Sequence, residues 1–137
     1  MKSAQSSIEY LIMFAFILAV IVPIWVYANN NINTTNERLQ KSYAENAVQR
    51  LAAAADMVYV QGHPARMTIR IRIPEAVENA SIKQHEISIR VSSRGGPSDI
   101  YYTTVAPLNG SLPSSPGFYF ITLRAMEEGY VNISFGG

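Results

Sequence analysis

Apolar residues are laid along this chain in three successive patterns. From Tyr10 to Ala28 the sequence YLIMFAFILAVIVPIWVYA carries no charged residue at all. At 1.5 Å per residue such a run is roughly 28 Å long as a helix, close to the thickness of a bilayer's hydrocarbon core. From Glu37 to Tyr59 the spacing becomes helical. Leu39, Tyr43, Ala47, Leu51, Ala54 or Ala55, and Val58 follow one another in steps of three and four, which places them in one stripe. After "QGHP" at 61–64 the period drops to two. In RMTIRIRI, residues 66–73, Met67, Ile69, Ile71 and Ile73 alternate with Arg66, Thr68, Arg70 and Arg72. That alternation is a half-buried strand with a basic outer face.

Further strands are predicted at 86–92, 99–105, 118–125 and 129–135, separated by turn-rich connectors such as "SSRGGPSD" and "PLNGSLPSSPG". In the last of them Val131, Ile133 and Phe135 share one side. The 37–59 stripe is expected to supply part of the core beneath these strands. One long element is expected to run from about Gln5 to about Tyr59, bending at Pro23, because lipid and helix neighbours tolerate a proline that a soluble helix would resist. "QGHP" ends it: glycine allows the turn and proline forbids continuation. The fold class is therefore α+β. A long hydrophobic N-terminal helix, kinked and continuing as an amphipathic stalk, precedes a small antiparallel β-sheet or sandwich head.

The greasy run does not read as a cleaved secretory signal. It exceeds the usual apolar length, and the "NNNINTTN" behind it has no small-residue cleavage pattern. The one basic residue ahead of it is Lys2 and the first behind it is Arg38, so the positive-inside rule favours a cytoplasmic N-terminus and an external remainder. A net charge of +1 gives no sign of bulk nucleic-acid binding, and none is expected. The absence of cysteine removes disulfides, thiol nucleophiles and thiolate metal sites.

Chemistry is sparse elsewhere. His63 and His85 are the only histidines, and neither has metal-ligand spacing. Glu75/Glu78 and Glu127/Glu128 read as solvated turn residues. No nucleophile elbow or phosphate-cradling glycine loop is present. No enzyme activity, cofactor or metal is expected. Four N-glycosylation sequons begin at Asn33, Asn79, Asn109 and Asn132; all lie beyond the apolar run, with Asn79 and Asn109 expected in loops and Asn132 on the polar face of its strand.

One residue disturbs the pattern: Glu9, a carboxylate at the mouth of the apolar run. The stretch "QSSIEYLIM" resembles the N-terminal motif of archaeal type IV pilin-like precursors with a class III signal peptide. Gln5, Ser7 and Glu9 fall in register with that motif, and Met13 stands where the family carries leucine. The resemblance covers about ten residues and implies cleavage between Ala4 and Gln5 by a membrane prepilin peptidase. Residues 1–4 would then be a leader, 5–60 a long helix (10–28 filament core, 37–59 stalk), and 61–137 a β-rich head. It further implies a structural subunit of an extracellular adhesion filament. Such a subunit would pass through the cytoplasmic membrane as a precursor, polymerise with copies of itself through an assembly machinery, and meet surfaces or cells through its head. Cleavage would expose an α-amine with a pKa near 7.7–8.0. With axially staggered helices, that amine of one subunit can meet Glu9 of another and set register. Two other readings keep the same helix: a minor pilin or pseudopilin of a secretion or binding complex, and a single-span anchored β-domain binding protein.

Overall fold

The computed structural model describes residues 2–136; Met1 of the expected leader and Gly137 of the expected head lie outside them. The fold is α+β, as the patterning requires. Helix α1 (Lys2–Gln61) is followed by strands β1 (Arg66–Ile73), β2 (Val77–Lys83), β3 (Glu86–Val91), β4 (Ser98–Thr103), β5 (Leu108–Gly110), β6 (Gly117–Ala125) and β7 (Val131–Gly136). Backbone contacts divide the chain into two compact units, Met1–Asn36 and Glu37–Gly137.

The described residues of the first unit are all helical. Every residue from Lys2 to Ile32 is exposed, and Pro23 lies inside the helical span. The Asn-rich stretch is helical too. Its threonines satisfy their hydroxyls locally: Thr34 donates to the Asn30 carbonyl at 3.0 Å and Thr35 to the Asn31 carbonyl at 2.9 Å. Back-bonding to the carbonyl four residues earlier lets polar residues sit in a helix without competing for its backbone.

In the second unit, the remainder of α1 and both sheets share one apolar core. The helix contributes Ala44, Ala47, Val48, Leu51, Ala52, Ala54, Ala55 and Val58. Five of these eight are alanine, so the buried stripe of the helix is built mainly of small side chains. The larger sheet has strand order β1-β6-β7-β5 and the smaller β2-β3-β4. Ile71, Ile73, Ile121, Leu123, Val131 and Ile133 bring the larger sheet's inner face to the core, and Ile87, Ile89 and Val91 bring the smaller's. Helix α1 ends where glycine permits it. Gly62 takes a positive φ of 76°, and its N–H meets the Val58 and Tyr59 carbonyls, both at 3.1 Å.

Several details depart from the sequence reading. Strands β2 and β5 lie in stretches read as connectors. β2 has weak alternation and a register irregularity between Val77 and Asn79, while β5 is only three residues long. β5 also pairs parallel to β7, whereas every other pairing is antiparallel. Leu39, expected in the core stripe, is 44% exposed, because the packed stripe begins one turn later at Ala44. Phe135 is exposed near the strand end, its ring 6.0 Å edge-on from Tyr119, where Val131 and Ile133 are buried. Strand β7 begins at Val131 and not at Gly129, because Gly129 and Tyr130 close the turn onto Met126. Helix α1 begins at Lys2, earlier than the motif-based start at Gln5.

Candidate functional site

The signal-like residues occupy the opening turns of α1. Ala4, Gln5, Ser7, Glu9 and Met13 are all helical and exposed. Gln5, Glu9 and Met13 recur every four residues, so they share a face. Glu9 stands beside Ser6, Tyr10 and Met13 on a shallow part of the helix surface. Among the described residues it forms no ion pair. No further charged residue follows until Glu37, so this carboxylate introduces an exposed apolar surface that includes Phe14, Phe16, Ile21, Trp25 and Ile32. Among the described residues α1 is the one helix long and apolar enough to cross a membrane.

The sequons are dispersed and do not form a site. Asn33 is half-buried on α1, Asn79 is exposed on β2, Asn109 is exposed on β5, and Asn132 is half-buried on β7. Asn79 and Asn109 are thus strand residues where loops were expected. The Asn109 side-chain oxygen accepts the Gly110 N–H at 2.9 Å. His63 lies in the turn after α1 and His85 in the β2–β3 turn. Among the described residues no three His, Asp or Glu side chains gather closely enough to hold a metal ion.

The two sheets present outward faces of opposite character. On the smaller sheet the basic residues are paired. Arg90 Nε donates to Asp99 Oδ1 at 2.6 Å and Nη2 to Oδ2 at 2.9 Å, and Lys83 Nζ lies 3.7 Å from Glu86. The fork of hydrogen bonds from Arg90 holds the Asp99 carboxyl below its ordinary range, and the same bonds raise Arg90. Ser81 and Ser88 share a hydroxyl hydrogen bond of 2.8 Å between them.

On the larger sheet the outward positions of β1 are Arg66, Thr68, Arg70 and Arg72, opposite Arg124, Thr122, Phe120 and Phe118 of β6. The basic alternation of β1 was legible in the sequence. The outward aromatics of β6 were not assigned a face, although FYFITLRA alternates just as cleanly. Arg72 reaches from this edge strand to lie 4.2 Å over the Tyr43 ring of α1, and Arg70 lies 4.3 Å over Phe118. Such stacking holds a guanidinium in place while leaving its N–H edge free.

Compared with known protein families, curated proteins and solved structures, the chain matches none. Fold and surface together define a class: an α+β chain with one exposed apolar helix able to anchor in a membrane, and a two-sheet head built on the second half of that helix.

Proposed function

We propose that this chain is a structural subunit of an extracellular, archaeal type IV pilus-like filament, acting in surface attachment by assembly and not by catalysis. One observation carries the reading. The helix from Tyr10 to Ala28 is apolar and wholly exposed, and the carboxylate at its start, Glu9, has no ionic partner among the described residues. An exposed apolar rod of this length is stable only in lipid or against other rods. Outside lipid, packing such helices together gains about 25 cal/mol per Å² of apolar surface covered. That term drives association but does not choose a stagger.

Glu9 chooses it. Desolvated among packed helices, a carboxylate needs a cation, and the new α-amine of Gln5 on a neighbouring subunit supplies one once residues 1–4 are removed. Misaligned helices leave both charges unpaired, so a single axial offset is favoured. The precursor rests in the membrane with its N-terminus inside, and the head emerges to clothe the filament.

The test uses native cells. Glu9→Gln is expected to leave the precursor in the membrane while fibres seen by electron microscopy fall at least tenfold. Mass spectrometry of the natural protein is expected to find a chain beginning at Gln5. Undiminished fibres in the variant would remove the register role. An intact Met1 on dispersed, fibre-free protein would replace the filament with a single-span anchored β-domain.

A further inference from the structure

The overall charge of +1 averages over a pronounced local excess. Strands β1, β5, β6 and β7 contain four arginines, Arg66, Arg70, Arg72 and Arg124, and no Asp or Glu. All four are exposed, and none joins an ion pair among the described residues. Between them on the same face stand Phe118 and Phe120, 58% and 60% exposed, with the Thr68 and Thr122 hydroxyls 3.1 Å apart beside them. Alongside β1 runs an open groove of about 480 Å³ that adds Arg50 and Tyr43 to Arg70, Arg72 and Phe118. The smaller sheet differs in charge: its arginine and lysine have carboxylate neighbours, and its exposed rings are tyrosines, Tyr101 and Tyr102.

We propose that the outward face of the larger sheet, with its edge groove, binds single-stranded nucleic acid. Arg66, Arg70, Arg72 and Arg124 take backbone phosphates, and Phe118 and Phe120 receive unstacked bases. The chemistry follows from the two residue types together. A guanidinium fork matches a phosphate bidentately, and those of Arg70 and Arg72 are already oriented by the rings beneath them. Phe120 and the exposed part of Phe118, whose ring already lies under Arg70, offer stacking surface to a ligand with flat unsaturated rings of its own. An anionic polysaccharide also answers the arginines and can lay a sugar's C–H face on a ring, so it is the competing occupant that the alginate arm of the experiment separates. A duplex hides its bases, whereas a single strand offers phosphate and base at once. The residues involved all lie within Glu37–Gly137, so the inference stands or falls independently of filament assembly.

The experiment is fluorescence anisotropy on the full chain in non-ionic detergent, with a labelled oligothymidylate of about 25 nucleotides as probe. Saturable binding is expected to weaken with salt along a log–log slope of about −3, for roughly four phosphate contacts at −0.7 each. Arg70→Gln combined with Arg72→Gln should reduce that slope by about 1.4. Phe118→Leu with Phe120→Leu, which keeps apolar bulk and removes the π-faces, should weaken binding at least about 5-fold with the slope unchanged. Lys83→Gln on the other sheet should change nothing. These positions are exposed, and unchanged circular dichroism verifies the fold; Arg124→Gln, at the far end of the face, provides a second reading. No binding, oligothymidylate binding indifferent to the phenylalanine pair, or tighter binding of the polyuronate alginate than of the oligonucleotide would each overturn the proposal.

Discussion

Asp56 Oδ1 lies 3.0 Å from the backbone nitrogen of Val105, and the same oxygen accepts the next N–H, that of Ala106, at 3.1 Å. A single side chain of α1 thereby fixes the chain as it leaves β4, and Thr104 reinforces the bend by donating its hydroxyl to the Ala106 carbonyl at 2.8 Å. Each hydrogen bond to a charged acceptor is worth roughly 1.5–3 kcal/mol where it is sheltered, and less at the exposed Val105. Asp56→Ala should lower unfolding stability by about 2–3 kcal/mol. Asp56→Asn, which retains a carbonyl acceptor, should lose less. Urea denaturation in detergent measures both, and equal losses would show that a neutral carbonyl acceptor cannot stand in for the carboxylate.

Gly110 sits at a φ of +127°, and a Cβ placed on it would stand 2.0 Å from the Ile133 carbonyl oxygen. The short parallel pairing of β5 with β7 therefore requires glycine there. Gly110→Ala should cost more than about 2 kcal/mol, from backbone strain and the displaced strand together. Gly95→Ala, with open space around it and an ordinary φ, should stay within about 0.5 kcal/mol of the natural protein. Comparing the two melting curves isolates the effect of position.

The Arg90–Asp99 pair predicts an acid limb in the stability profile. Asp99 is held below its ordinary pKa by Arg90, so its contribution is fully present above the unfolded carboxyl value of about 3.9. That contribution disappears as pH falls through the lowered folded value. Both groups face solvent, so the effect is small and salt-sensitive. Melting temperatures taken from about pH 6 down to pH 2 should fall less steeply for Asp99→Asn than for the natural protein, and added salt should narrow the difference.

Leu39 and Leu51 occupied the same predicted stripe, yet Leu51 is fully buried and Leu39 is 44% exposed. Leu51→Ala should cost about 2–5 kcal/mol and Leu39→Ala less than about 1 kcal/mol. Thermal unfolding of the two variants would place the start of the packed stripe by energy as well as by geometry.

The boundary between what the sequence reveals and what it hides has a physical origin. Strong periodicity was readable: the uncharged 10–28 run, the arginine–isoleucine alternation of β1, and the glycine–proline stop after α1 each declare one conformation. β2 and β5 stay hidden because their strand character comes from partners. Val77–Lys83 alternates poorly and becomes a strand by pairing with Ile87 and Ile89, while Leu108–Gly110 exists as a strand only beside Val131–Ile133. At the candidate surface, the arginines of β1 were visible one strand at a time. Their lack of acidic neighbours is a property of four strands brought together by the order β1-β6-β7-β5, which no local window displays. Glu9 is the reverse case: its oddity is obvious in the sequence, and the described residues of one chain supply it no ionic partner.

Because eight core side chains of the head come from α1 between Ala44 and Val58, the rod and the head cannot be separated at the helix's end. A soluble fragment for crystallisation must begin near Glu37; one begun at Gly62 would strip the lid from both sheets and precipitate. Evolution faces the same restriction: insertions and swaps of new heads onto an old rod must carry the last seven turns of helix with them.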